Sequence, residues 1–316
     1  MYCINLESTD PFFNLAIEEV LLRNSMEEYL ILGINSPSVI IGKHQSSHME
    51  VDTKYVTEND IPVLRRISGG GTVFHDYGNL NFTFIRQSES GKQVDFRKYT
   101  RPVLDFLVSL GVDVKFEGKN DLKVGGLKIS GNAEHVHRNR VLHHGTLLYS
   151  SSLNRLRCAL RKDNSCYTSR AVKSNPSSVM NLNDIPGMFQ NIYEFRDEMM
   201  NYMMKILPET KSYQLSDSET AATEDLVISK YKSWEWNWAY GPEYYFVNKF
   251  EVTGELFVCR MFVKDGIIQE CKIEGSDEMA DLAKKLTGCR HMVTDLREIL
   301  RKENNLLSDI DIFKFF

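Results

Sequence analysis

Apolar residues settle into a helical rhythm soon after the start of the chain. Phe13, Ala16, Ile17, Val20 and Leu21 follow Asp10-Pro11, an N-cap and first-turn pair, and predict an amphipathic opening helix laid on a sheet. The pattern then shortens. Tyr29 to Ile34 and Val39 to Ile41 read as strands around the Asn35-Ser36-Pro37 turn, and Leu80, Phe82 and Phe84 alternate as a half-buried strand should. A helix is predicted from about Thr100 to Leu110, with Pro102 in its first turn, Val103, Phe106, Leu107 and Leu110 on one side, and Gly111 as its stop. Residues 141–149 give another strand. The polar stretch from Arg161 to Ser178 has the composition of a loop that orders in context, as lids do.

Helical periodicity returns at about 191–206 and 218–232, ahead of an aromatic cluster of Trp234, Trp236, Trp238, Tyr240, Tyr244, Tyr245 and Phe246. Gly241-Pro242 breaks that cluster and is the candidate boundary, giving units of 1–242 and 243–316. Beyond it, Tyr244 to Glu251, Glu255 to Val263 and Ile267 to Glu274 form a three-stranded meander with Thr253-Gly254 and Asp265-Gly266 turns. Helices near 277–286 and 294–303 complete a small α+β unit. The fold class is thus α/β (α+β), a large mixed sheet with helices followed by a lesser domain.

Composition narrows the class. With 42% hydrophobic and 26% charged residues the chain is an ordinary globular protein, and 316 residues suit one large domain plus a smaller one. A formal net charge of −5 argues against a general nucleic-acid binder. The N-terminus has no basic and apolar leader pattern, and no apolar run is long enough to span a bilayer, so a cytoplasmic protein without membrane partners is expected. Six cysteines (Cys3, Cys158, Cys166, Cys259, Cys271 and Cys289) lack metal-site spacing and indicate neither a zinc centre nor a disulfide framework.

Two segments carry candidate chemistry. Arg65-Arg66-Ile67-Ser68-Gly69-Gly70-Gly71-Thr72-Val73-Phe74-His75-Asp76 places three glycines between a basic pair and a β-prone run, a backbone able to offer bare N–H groups to a phosphate or carboxylate. About fifty residues later, Asn120-Asp121-Leu122 leads through a Gly125-Gly126 hairpin turn to Lys128-Ile129-Ser130-Gly131-Asn132-Ala133. Period-2 alternation puts Leu127 and Ile129 on one face of the returning strand and Lys128 on the other, where a packed sheet would aim it at a ligand. Each segment alone has a plain alternative, a strand connection and a solvated surface lysine.

Together, in this order, they resemble the lipoate-protein ligase family. Further matches are Pro37-Ser38-Val39-Ile40-Ile41-Gly42-Lys43-His44-Gln45, Gly78-Asn79, Leu142-His143-His144-Gly145-Thr146-Leu147-Leu148, Ser169-Arg170-Ala171-Val172, Val179-Met180-Asn181-Leu182 and Trp234-Glu235-Trp236. The resemblance runs to about residue 240. It implies a mainly antiparallel catalytic sheet like those of biotin and lipoate ligases and class II synthetases, with a C-terminal accessory domain. It also implies ATP and Mg²⁺ as cofactors, lipoate or octanoate as substrate, and an acceptor lysine on the lipoyl domain of a 2-oxoacid dehydrogenase E2 subunit or on the glycine-cleavage H protein.

On this resemblance Lys128 is the catalytic clamp on the acyl-adenylate. Arg66, Ser68, Gly70, Gly71, Thr72, Val73, Phe74, His75 and Asn79 bind the nucleotide and acyl group, and Asp121 is a candidate Mg²⁺ partner. His75, His143 and His144 are candidate bases or, alternatively, hydrogen-bonding supports of the site. Leu15, Val39, Phe82 and Leu147 are candidates for an apolar slot or plain core, and the Trp234–Trp238 cluster reads as an interdomain packing surface. Two other functions stay open. One is an ATP-independent acyl transferase using a cysteine thioester, although no cysteine occurs from Leu104 to Lys128. The other is a non-catalytic lipoate-binding regulator.

Overall fold

A computed structural model describes residues 1–88, 94–302 and 310–316. From the N-terminus the elements are β1 (Tyr2–Asn5), α1 (Pro11–Asn24), β2 (Tyr29–Ile34), β3 (Ser38–Ile41), α2 (Ser47–Glu50), α3 (Thr53–Glu58), β4 (Val63–Arg65), β5 (Val73–His75), β6 (Asn79–Gln87) and α4 (Phe96–Ser109). Next come β7 (Val114–Glu117), β8 (Asp121–Val124), β9 (Leu127–His137), β10 (Arg140–Leu148), α5 (Leu153–Ala159), β11 (Tyr167–Ser169), α6 (Ile192–Ile206), β12 (Lys211–Ser212) and α7 (Asp217–Leu226). The last elements are β13 (Tyr244–Val252), β14 (Glu255–Lys264), β15 (Ile267–Glu274), α8 (Asp277–Leu286) and α9 (Val293–Leu300). No helix among the described residues is long and apolar enough to cross a membrane.

The chain forms two compact units. Unit 1 contains residues 1–43, 64–157 and 174–232, and unit 2 contains 44–63, 158–173 and 233–316. Unit 1 is built on an eight-stranded sheet of order β12-β1-β2-β6-β10-β9-β8-β7, parallel through β12, β1 and β2 and antiparallel elsewhere. One face of it carries the core. Phe82 and Phe84 of β6 pack there with Val103, Phe106 and Leu107 of α4 and Phe195, Met199 and Met203 of α6.

The opposite face takes α1. Asp10 caps it, accepting from the Phe12 N–H at 2.9 Å, with Pro11 in the first turn. Its far end is held by a buried cation. Arg140 Nη1 donates to the carbonyls of Leu21 (2.8 Å), Leu22 (2.7 Å) and Ser25, and Nη2 to that of Glu27. A guanidinium at this pole satisfies orphan carbonyls and complements the helix dipole, fixing α1 against the sheet.

The helix expected from Thr100 starts earlier. Asp95 accepts from the Lys98 N–H at 3.2 Å and sets the first turn at Phe96, so Pro102 lies inside α4 and forfeits one intrahelical hydrogen bond. The end of the expected 294–303 helix lies outside the described residues, and the helix runs from Val293 to Leu300.

In unit 2, β13, β14 and β15 form the meander, with Thr253, Gly254, Asp265 and Gly266 all at positive φ in its two turns. The segment 161–178 is not wholly a loop. Its residues 167–169 form β11, whose Tyr167 pairs with Phe246 across the ladder. Trp234 packs against Gly266 and beneath the Arg290 guanidinium (4.3 Å), while Trp238 lies 4.7 Å from the His48 ring, contacts internal to unit 2.

His291 is buried in this unit. Tyr244 donates to its Nδ1 (2.6 Å), its Nε2 donates to the Phe315 carbonyl (2.6 Å), and Phe316 stacks on the ring at 4.5 Å. Burial pushes its pKa down from 6.5 to about 4. Between those values the unfolded chain takes up a proton that the folded ring refuses, so stability falls as pH falls through this window. The expected loss is about 3 kcal/mol between pH 6.5 and 4. Urea denaturation across that range should show it, and His291→Gln should flatten the slope; an equal slope in the variant would assign the acid sensitivity elsewhere.

Candidate active site

The glycine-rich segment joins β4 to β5, and β5 pairs antiparallel with β3. Arg66 organises it. Its Nε donates to Ser68 Oγ (3.0 Å), its Nη1 to the Ile40 carbonyl (3.1 Å) and its Nη2 to the carbonyls of Gly69 (2.6 Å) and Gly71 (2.7 Å). The guanidinium expected to meet phosphate thus grips the loop's own carbonyls. Gly70 makes the grip possible, since its φ is +87° and a Cβ there would stand 3.0 Å from Nη2.

The lysine segment lies against this loop. The Cβ position of Gly70 is 3.8 Å from Ala133 of β9, the strand that begins beside Lys128. Residues 174–180 touch both motifs. Ser174 Oγ accepts from the Thr72 N–H (2.8 Å), the Lys128 N–H donates to the Ser178 carbonyl (2.9 Å), and the Met180 N–H donates back to the Lys128 carbonyl (3.1 Å). Lys128 Nζ is 2.8 Å from Asp121 Oδ1, both side chains being about one-fifth to one-quarter exposed.

Period-2 alternation places this lysine correctly, on the face of its ladder partner Lys123 and opposite the core face that holds Leu122 and Ile129. Ile129 is an extra residue in β9 and is fully buried in the core, while Leu127, opposite Val124 beside the hairpin turn, is exposed. Asn79 is fully buried, and Phe74 is 1% exposed, so Val73 is the more accessible member of that pair. Phe82 and Leu147 belong to the core beneath the sheet, as does Ile129. Leu15 and Val39 are also buried.

The tandem histidines of β10 point to opposite faces, as neighbours on a strand must. His144 turns towards α1. Its Nδ1 donates to Glu18 Oε2 (2.9 Å), and its Nε2 accepts from the Ser68 hydroxyl (2.6 Å), whose oxygen is already taken by Arg66. Glu18 also accepts from Thr83. This carboxylate–imidazole–hydroxyl order has the parts of a nucleophilic triad, yet Ser68 is fully buried and its oxygen is engaged, so the relay braces the glycine loop. His143 turns the other way, to Glu134 (2.9 Å) and Thr100 (3.1 Å), and burial lowers its pKa.

His75 has a third environment. Asn14 Nδ2 donates to Asn35 Oδ1 (2.8 Å), so Asn35 presents its own Nδ2 to His75 Nδ1 (2.9 Å) and the ring proton falls on Nε2. That N–H is buried without a hydrogen-bond partner among the described residues. Burial, with Arg66 nearby, lowers the ring's pKa to about 3, keeping it a neutral donor. Glu18, Asn35 and Ser174 were not singled out in the sequence. The signal for Glu18 is a pair of carboxylates set between Ile17 and Val20 on an otherwise apolar stretch of helix.

Known proteins resemble this chain over most of its length. The model of the "Lipoyl protein ligase A/B catalytic domain" family matches residues 10–204. "Lipoate--protein ligase 1" of Staphylococcus aureus is 36% identical over 318 residues, covering 99% of this chain and 94% of that protein. Among solved structures, the bipartite lipoate protein ligase of Thermoplasma acidophilum, described with its E2 lipoyl domain, gives a TM-score of 0.65 at 26% identity over 75% of this chain and 95% of that one. A lipoate-protein ligase A bound with ATP gives 0.64 at 26% identity, over 75% and 97%. By the extent of the family match and the identity to its curated relative, the chain belongs to the lipoyl protein ligase A/B family.

Proposed function

We propose that this protein joins lipoate to a protein lysine in two ATP-dependent steps. A carboxylate is a poor electrophile, so the acid's oxygen first attacks the α-phosphorus of ATP and pyrophosphate leaves. The acceptor amine then attacks the carbonyl of lipoyl-AMP, and AMP leaves with the electron pair of the broken C–O bond. Both steps gather negative charge on oxygens that need fixed donors. The observation that carries the reading is the assembly, in unit 1, of the glycine loop and Lys128 by β9 and the 174–180 segment.

In this reading Lys128 is the electrostatic clamp on the carboxylate and α-phosphate oxygens. Backbone N–H groups of the glycine turn at Gly70 and Gly71 hold phosphate, Arg66 and Ser68 keep that backbone in shape, and His75 offers its Nε2–H to an anionic oxygen. Among the described residues no group of three or more His, Cys, Asp or Glu side chains could hold a metal. Asp121, at the clamp, would give Mg²⁺ on the nucleotide's phosphates a protein carboxylate. The ion's chemistry there would be charge neutralisation of the leaving pyrophosphate. The acceptor we assign is a lipoyl domain of an E2 subunit or the H protein, in the cytoplasm, where ATP is available. The catalytic role falls to 1–242 and an accessory role to 243–316.

The test is incubation of purified protein with lipoate and an apo lipoyl domain, with and without ATP and Mg²⁺. Lipoyl adduct on the acceptor and pyrophosphate release, both only with ATP, are expected. Transfer from an acylated donor protein without ATP would overturn the reading in favour of the cysteine-dependent transferase. Lipoate binding with neither product would leave a regulator.

A further inference from the structure

The extra residue of β9 decides where the lysine side chain goes. Across the β8–β9 ladder Lys123 opposes Lys128 and Leu122 opposes Ser130, so Ile129 has no partner of its own. In a regular strand residues three apart face opposite ways. The bulge cancels one step of that alternation, and Lys128 and Gly131 come to share the face of their partners Lys123 and Asp121. Ile129, fully buried, anchors the bulge in the core.

On that shared face Gly131 lies directly opposite Asp121 in the ladder. Lys128 folds back over it to reach the Asp121 carboxylate at 2.8 Å. The room comes from a missing methyl group: a Cβ on Gly131 would stand 3.0 Å from both Cε and Nζ of Lys128. Its backbone is outside the left-handed region, so turn geometry does not demand glycine at this position. What demands it is the lysine stem.

We propose that Gly131, with the Ile129 bulge, is a positioning residue for Lys128, acting only through the space it leaves for that side chain. The proposal rests on Lys128 being the adenylation clamp. Alanine is compatible with the backbone here, and the atoms it would crowd are the flexible end of a lysine, so the fold accepts the substitution and the ammonium group moves. A displacement of an ångström at a group stabilising transition-state charge costs rate rather than folding.

The experiment is a double-mutant cycle on lipoate-dependent pyrophosphate release under single-turnover conditions, with the dissociation constant for ATP in the presence of lipoate as second readout. Gly131→Ala is expected to slow release about 10- to 100-fold with the thermal midpoint held within about 2 °C. In the Lys128→Ala background the same change should cost nothing more in rate or in ATP affinity, since the atoms it crowds are gone. Equal losses in both backgrounds, no loss in either, or a large fall in thermal midpoint would overturn the proposal. Undiminished release by Lys128→Ala itself would instead remove the clamp on which it rests.

Discussion

Replacing Lys128 with alanine should cut lipoate-dependent pyrophosphate release by about 10²- to 10³-fold while leaving the protein folded. At an effective dielectric of about 20, a unit charge 4 Å from a developing anionic oxygen contributes about 4 kcal/mol, and each 1.36 kcal/mol is tenfold in rate. Partial exposure of the side chain trims that figure, which still matches the cost of removing a preorganised donor from other acyl-transfer sites. The ion pair with Asp121 is worth only about 1 kcal/mol or less to stability, so the thermal midpoint should barely move. Lys128→Arg should not rescue, because a planar fork is broader than the stem that Gly131 accommodates. ATP–pyrophosphate exchange dependent on lipoate is the measurement, and a rate within tenfold of the parent would remove Lys128 from the chemistry.

Arg66→Ala should be nearly as damaging, by another route. The guanidinium satisfies the carbonyls of Ile40, Gly69 and Gly71 and the Ser68 hydroxyl, and it lies 5% exposed. Its removal leaves buried acceptors unpaired, a cost of about 2–4 kcal/mol, and frees the glycines to scatter the N–H groups that phosphate needs. ATP affinity should fall at least 100-fold together with a measurable drop in thermal midpoint. Lys128→Ala should separate from it by leaving stability intact. Arg66→Lys, offering a point charge in place of a fork, should recover stability in part and activity little. Unchanged ATP binding by calorimetry would refute the bracing role.

Local signals were legible where local physics decides. The Asp10-Pro11 start of α1 and the two turns of the C-terminal meander rest on capping and positive-φ chemistry confined to a few residues, and they lie where the pattern puts them. Pro102 misled because a proline suits a first turn, while the competing cap at Asp95 precedes a segment with little apolar rhythm. β11 escaped because its pairing partner is some eighty residues away. The two chemical segments were readable as such, and so was the face of Lys128, but the face it shares with Gly131 was not, since a bulge leaves no trace in period-2 alternation. Nor was Glu18, whose role depends on His144, 126 residues distant.

The His143-His144 doublet has a consequence for how the chain finds its native pairing. A slip of β10 by one residue would carry one imidazole into the other's place and the other ring out of its site, stranding either Glu18 or Glu134 as a buried carboxylate without its histidine. Strands that carry only aliphatic residues lose packing on such an error; this one would also leave a buried carboxylate and a displaced imidazole unpaired. The doublet therefore acts during folding as well as in the finished site, widening the energy gap between the correct central pairing and its nearest misfolded neighbours.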